Sequence, residues 1–197
     1  VKMKRKVGWG IALILSGLCT SAWTQTYPSK PVRFLVGFAA GGSVDVLGRF
    51  YAQKMSETMG QQIIVDNRPG AGSNVAGAIV AKAPPDGYSL FVGSAGGLAG
   101  NLAIYQRMSY NPITDFTPIA VLAYQANILV VNPSLPTKNV KEFIALARSR
   151  PSQINVGSGG NGSSQHMSLE AFLKAAGIKM LHIPYKGTAP SITDLIS

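Results

Sequence analysis

From residue 31 onward, apolar runs with strand character alternate with segments whose apolar residues recur at helical spacing. Residues 32–38 (VRFLVGF) form a β-rich run that stops at Gly41-Gly42. Leu47, Tyr51 and Met55 then recur at a spacing that predicts a helix over 44–59, ending at Gly60. QQIIVDN (61–67) reads as a second strand, and NRPGAGS turns the chain into a small-residue helix over 74–83. APPDGYS (83–89) is a turn, because proline fixes φ and Asp-Gly permits reversal; LFVGS (90–94) follows as a third strand. Residues 98–108 suggest a short helix and 109–116 a loop, with two further strands at TPIAVLA (117–123) and ANILVVN (126–132). Asn139 caps a helix over 140–150 that carries Val140, Phe143, Ile144 and Ala147 on one face. QINVGS reads as a strand, 164–177 as a helix, KMLHIPY (179–185) as a strand, and 189–197 as the start of a helix. Strands separated by helices of these lengths predict an α/β architecture of parallel sheets with covering helices. The break between one βα series and the next falls near residues 124–127.

The composition agrees with a globular chain: 46% hydrophobic, 13% charged. Its first 25 residues read differently. Lys2, Lys4, Arg5 and Lys6 precede a short apolar stretch, residues 11–18, and then the small residues Thr20-Ser21-Ala22. That is the layout of a secretory signal peptide cut within 22–26, with an apolar part too short to span a bilayer; an uncleaved anchor is the other reading. Leu18 before Cys19 argues against a lipoprotein signal. Four of the 18 basic residues belong to this segment, so the +10 formal charge becomes +6 for the rest. The remaining cations are scattered without a basic run, which argues against a nucleic-acid footprint. Cys19 is the one cysteine, so an exported form would hold no disulfide, thiol nucleophile or cysteine metal site. No metal site and no cofactor is expected.

The chemistry sits in the bends. In a parallel sheet, ligands collect where strands end and helices begin, because the first helical N–H groups are unpaired and the dipole is positive there. Gly41-Gly42 clears side chains from such a place, and Ser43 and Ser94 add hydroxyls. VGSGGNGSSQHM (156–167) repeats the design. Helix-end interactions of ~0.3–2 kcal/mol and charged hydrogen bonds of ~1.5–3 kcal/mol add up to roughly 8 kcal/mol, or ~μM affinity for a small acid. Gly157, Gly159 and Gly162 match a dinucleotide fingerprint in form, but no acidic residue ends the next strand, and no GK[ST] phosphate loop occurs. Asp45 has two readings, a group pointing into the site or a first-turn residue pairing with Arg49 at i,i+4. His166 is either a ligand contact or a surface histidine; His182 packs in or beside its strand. Ser163 and Ser164 lack a G-x-S-x-G elbow and an evident base. Arg68 reads as structural, and Met55 and Met59 as core.

Taken together, YPSKPVRFLVGFAAGGSVDVLGRF, VDNRPGAGSNVAGAIVAKAPPDGYSLFVGS, SGGNGSSQHMSLEAF and HIPYKGTAP resemble, in order, the receptors of tripartite tricarboxylate transporters, the Bug family. The resemblance runs from about Tyr27 to the end. It implies a two-lobed periplasmic binding protein of type II-like, Venus-flytrap form, with parallel or mixed sheets and the C-terminal part incomplete at Ser197. Residues 1–25 would be the signal, 26–125 the first lobe and 126–197 part of the second. The implied function is capture of a di- or tricarboxylate, or related organic acid, in the periplasm for the membrane subunits of a tripartite carrier. The receptor would be a monomer, not an enzyme, with no nucleic-acid partner. By resemblance the ligand site comprises Ala39, Ala40, Gly41, Gly42, Ser43 and Asp45 in the first loop, with Ser94, Ala95 and Gly96 beside it. Ser158, Gly160, Asn161, Gly162, Ser163, Ser164 and His166 close from the other side, near Tyr185 and Lys186. The family places proline where Gly37 and Ala39 stand, which implies a looser first loop here. The alternatives are a ligand-binding partner of a signalling kinase, a hydrolase using Ser163 or His166, and a non-functional fragment.

Overall fold

A computed structural model describes residues 26–197; the signal-peptide reading of residues 1–25 lies outside them. Two parallel sheets organise the described chain. In the first, β1 (Val32–Val36) runs between β2 (Ile63–Asn67) and β3 (Ser89–Val92), parallel to both. The second pairs β4 (Asn155–Ser158) with β5 (Leu181–Pro184), again parallel. Parallel neighbours demand crossovers, and helices supply them. These are α1 (Ser43–Met59) and α2 (Asn74–Ala81) in the first unit, and α5 (Ser164–Ala176) in the second. A π-type turn (Gly96–Gly100) and α3 (Asn101–Ile104) follow β3, α4 (Val140–Ser149) precedes β4, and α6 (Thr188–Ile196) follows β5.

As the central strand, β1 is buried on both faces. Val32, Phe34 and Val36 meet Ile63, Val92 and Ala52 of α1, with Val44, Tyr51, Met55 and Met59 packed around them, while Leu35 is fully buried. Burying each such aliphatic side chain contributes about 1.5–3 kcal/mol. The helical spacing finds this face of α1, although Leu47 lies outside the cluster. The second core joins Ala147 of α4 to Ala176 and Ile178, with Ile154, Phe172, Leu173 and Met180. Val140 leaves the expected face of α4 and is 52% exposed. Helix ends follow their sequence signals. Gly60 and Gly177 stop α1 and α5 in left-handed conformation. Asn139 Oδ1 accepts the Glu142 N–H (3.0 Å) while Glu142 Oε2 accepts the Lys138 N–H (2.8 Å), a reciprocal cap for α4.

The largest departure is in the middle of the chain, where two expected strands are absent. Residues 117–123 and 126–132 form no strand. Ile119, Val121, Tyr124 and Ile128 all point to solvent. Alternating or branched residues give a segment the capacity to pair but no partner, and among the described residues no strand lies along this one. It is tied down by side chains instead: Tyr51 Oη donates to Leu122 O (2.6 Å), and Asn127 Nδ2 donates to Ser168 Oγ (2.7 Å).

Candidate functional site

The carboxyl ends of the two sheets face each other, so the loop after β1 meets the loops after β4 and β5. The Ala39 N–H donates to Lys186 O (2.8 Å), Tyr105 Oη reaches Asn161 O (3.4 Å), and a side chain at Gly96 would overlap the backbone of Gly162 to Ser164. Gly37, expected to loosen the first loop, does the opposite. Its bare Cα lies against Ser73, so closely that any Cβ would overlap it, and the loop is seated on the 71–73 turn.

Two hollows lie between these loops, with Phe38 lining both. The smaller is a cleft among Gly42, Ser43, Val44, Ser94, Gln125, Ser164, Gln165 and Thr188. Three helices start there. Neither α1, entered from Gly42, nor α6, entered from Gly187, has a capping side chain, so their first-turn N–H groups are left without that partner. The start of α5 is closed by Ser163, whose Oγ accepts the His166 N–H at 3.2 Å. Gln125 Nε2 donates to Ser43 Oγ (3.2 Å), and Ser94 Oγ accepts the Gly97 N–H (3.2 Å). The larger hollow, about 190 Å³, is lined by Gly37, the 70–73 turn, Tyr105, Gly159 to Asn161 and Pro184 to Lys186.

The expected site residues therefore divide. Gly42, Ser43, Ser94 and Ser164 line the cleft; Gly160, Asn161, Tyr185 and Lys186 line the larger cavity. Ala39, Ala40, Gly41, Ala95 and Gly96 belong to the same turns without lining either. Five expected contacts are turned elsewhere. Ser163 is fully buried as a cap. Gly162 sits against Asn101. The Ser158 hydroxyl bonds to His182 Nε2 (2.7 Å) and His166 lies under the glycine loop. Tyr185, counted with the larger cavity, turns its hydroxyl to Asp194, which raises its pKa above the ordinary tyrosine value.

Asp45 is the fifth. Its carboxylate accepts from the Gly41 N–H (2.8 Å), Arg49 Nε (3.0 Å) and Asn67 Nδ2 (2.8 Å), while Asn67 also donates to Phe38 O (3.0 Å). The group closes the first loop on itself and on β2. Burial alone would raise its pKa; the Arg49, Gly41 and Asn67 hydrogen bonds outweigh that and hold it below the ordinary value. A carboxyl with a depressed folded pKa stabilises above its unfolded pKa and loses that stabilisation as pH falls through the folded value. Asp45→Asn is therefore expected to lower stability at pH 7 by about 1.5–3 kcal/mol and to flatten the acid limb of a pH–stability curve, read by urea unfolding.

Thr188, Gln165, Gln125 and Phe38 were not among the expected residues. Thr188 and Gln165 were within reach of the helix-start signals, which put the last helix one residue late. Gln125 carries no local signal, since only the fold brings it to Ser43.

Comparison with known proteins matches residues 47–197 to the model of the tripartite tricarboxylate transporter family receptor. A Pseudomonas UPF0065 protein in the tcbD-tcbE intergenic region is 35% identical over 195 residues, covering 98% of this chain and 58% of its own length. A solved Rhodopseudomonas palustris protein with adipate is 41% identical with a TM-score of 0.84, over 86% of this chain and 56% of that one. MatC of the same organism, with bound malate, is 32% identical with a TM-score of 0.82, over 86% and 57%. The chain thus spans rather more than half the length of these relatives.

Proposed function

Because the chain belongs to the tripartite tricarboxylate transporter receptor family, we propose that it captures a small carboxylate in the periplasm for a tripartite membrane carrier. Residues 26–125 serve as one lobe and 126–197 as part of the other. The acid binds between them, at the cleft of Ser43, Ser94, Ser164 and Thr188. One observation carries this reading: the starts of α1, α5 and α6 converge on that cleft from both sheets, two of them without a side-chain cap. Convergent N–H groups and helix dipoles hold an anion without arginine. The relatives that hold adipate and malate support a short dicarboxylate as the ligand class. With the loops in contact, the cleft is too narrow for such an acid. Entry requires the lobes to part, and binding then favours the arrangement that leaves room for the acid, by its differential affinity.

Binding without chemistry is the consistent reading. Ser163 is buried as a cap, and the His166 ring is engaged by the Gly162 N–H instead of a serine hydroxyl. Adipate or malate incubated with the chain is expected to return unchanged by proton NMR while its lines broaden; a product would sink the receptor reading. The volume of the larger cavity favours a second placement, beside Lys186. Lys186→Ala separates the two by calorimetric titration: a tenfold or larger loss of affinity supports the cavity, and a loss below about threefold supports the cleft.

A further inference from the structure

The chain holds two histidines, and the fold stacks them: the rings of His166 on α5 and His182 on β5 are 4.3 Å apart and 13° from parallel. Both bond upward into the glycine loop after β4. His166 Nδ1 accepts the Gly162 N–H at 3.2 Å, so that nitrogen carries no proton. His182 Nε2 meets Ser158 Oγ at 2.7 Å. That hydroxyl already accepts the Gly160 N–H at 3.1 Å, and its own proton has a nearer acceptor in Nε2 than in Gly160 O at 3.5 Å. Two neutral rings, each using a bare nitrogen, thus fix residues 158, 160 and 162.

We propose that His166 and His182 are positioning residues whose neutral forms hold the 158–162 loop in its binding shape, so that carboxylate affinity falls when the pair takes up a proton. The binding consequence rests on the receptor reading; the loop consequence does not. Protonating Nδ1 of His166 removes the acceptor for Gly162 and sets two N–H groups against each other. Protonating His182 puts a cation on the face of His166. The charged groups facing the pair are few. Glu170, on the exposed side of α5, lies 3.7 Å from His166 Nε2. Burial, then the neighbouring His166, hold the His182 pKa below its ordinary value, against the pull of Glu170. A histidine depressed in this way stabilises the fold above its unfolded pKa and withdraws that stabilisation as pH falls through the folded one.

The test follows the two ring signals and glycine-labelled amides of the full chain by NMR from pH 8.5 to 5, without ligand. The Gly162 amide is expected to move with the midpoint of the His166 ring, while the Gly93 amide stays still. In parallel, calorimetric titration with adipate and malate is expected to show affinity falling about tenfold per pH unit below that midpoint, the linkage of one proton. The double variant His166→Asn/His182→Gln, which supplies non-titrating acceptors near Nδ1 and Nε2, is expected to lose the pH dependence of whatever affinity it retains. His166→Asn alone serves if the double variant fails to fold, since it is expected to uncouple the Gly162 amide from pH. A Gly162 amide in the unmutated chain indifferent to the His166 ring, or one still moving with pH in His166→Asn, or a pH dependence of affinity surviving in the double variant, overturns the proposal. A coupled amide with no acid bound at any pH leaves the positioning role standing and sinks the receptor reading instead.

Discussion

Gly162→Ala is expected to destabilise the chain by about 2–5 kcal/mol, from the left-handed conformation and the overpacked contact together. Gly162 has φ +80°, and a methyl there would overlap Asn101 Oδ1. Asn101 has little freedom to yield. It is fully buried, its Nδ2 donates to Gly72 O and to Asn74 Oδ1 (2.8 Å each), and its Oδ1 has no partner, so turning it away would break two bonds. Gly177→Ala isolates the first contribution, since its φ is +60° and nothing lies within 4 Å of the added methyl. It should cost about 1 kcal/mol. Urea unfolding of both variants decides: similar losses would mean that Asn101 does not brace the two loops against each other.

The second large effect is on binding. Gly42→Asp should weaken carboxylate affinity more than 100-fold, because a fixed negative charge beside the incoming anion costs several kcal/mol. The fold should survive it. Gly42 has φ −76°, which any residue adopts, and an added Cβ would find its nearest atoms 3.4 Å away at Ala39 O and 3.7 Å away at the Thr188 N–H. Gly42→Ala serves as the control and should lose far less. A Gly42→Asp variant that melts normally and binds unchanged would place the acid elsewhere, with the cavity beside Lys186 first in line.

What the sequence discloses here follows from how local each signal is. β1, β2 and β3 carry apolar runs with glycine or proline nearby, β4 and β5 are short segments flanked by the same residues, and α1, α4 and α5 have periodicity and a signal at one end or both, so their positions could be read directly. The glycine bends likewise announce where strands hand over to helices. Residues 117–123 and 126–132 misled because apolar pattern states a capacity to pair and says nothing of a partner. NRPGAGS announces a turn over 67–73, but its shape was hidden for another reason. Ala71 and Ser73 adopt positive φ (46° and 77°), a conformation that neither residue type advertises. At the site, the loops were legible but the direction of each side chain was not. Asp45 turns inward because Asn67, 22 residues away, is its neighbour only after β1 and β2 pair in register. The histidine stack needs the β4–β5 pairing in the same way.

The central claim is that these loops form a carboxylate site. Its most direct test is thermal unfolding of the full chain, alone and with adipate, malate and a series of mono- and tricarboxylates at millimolar concentration. A binder of the folded state raises the midpoint by mass action, by an amount equivalent to about 2.7 kcal/mol at a hundredfold excess over Kd. A rise is expected for one or a few related acids, and Gly42→Asp should abolish it. A cooperative melt that no acid moves would contradict it.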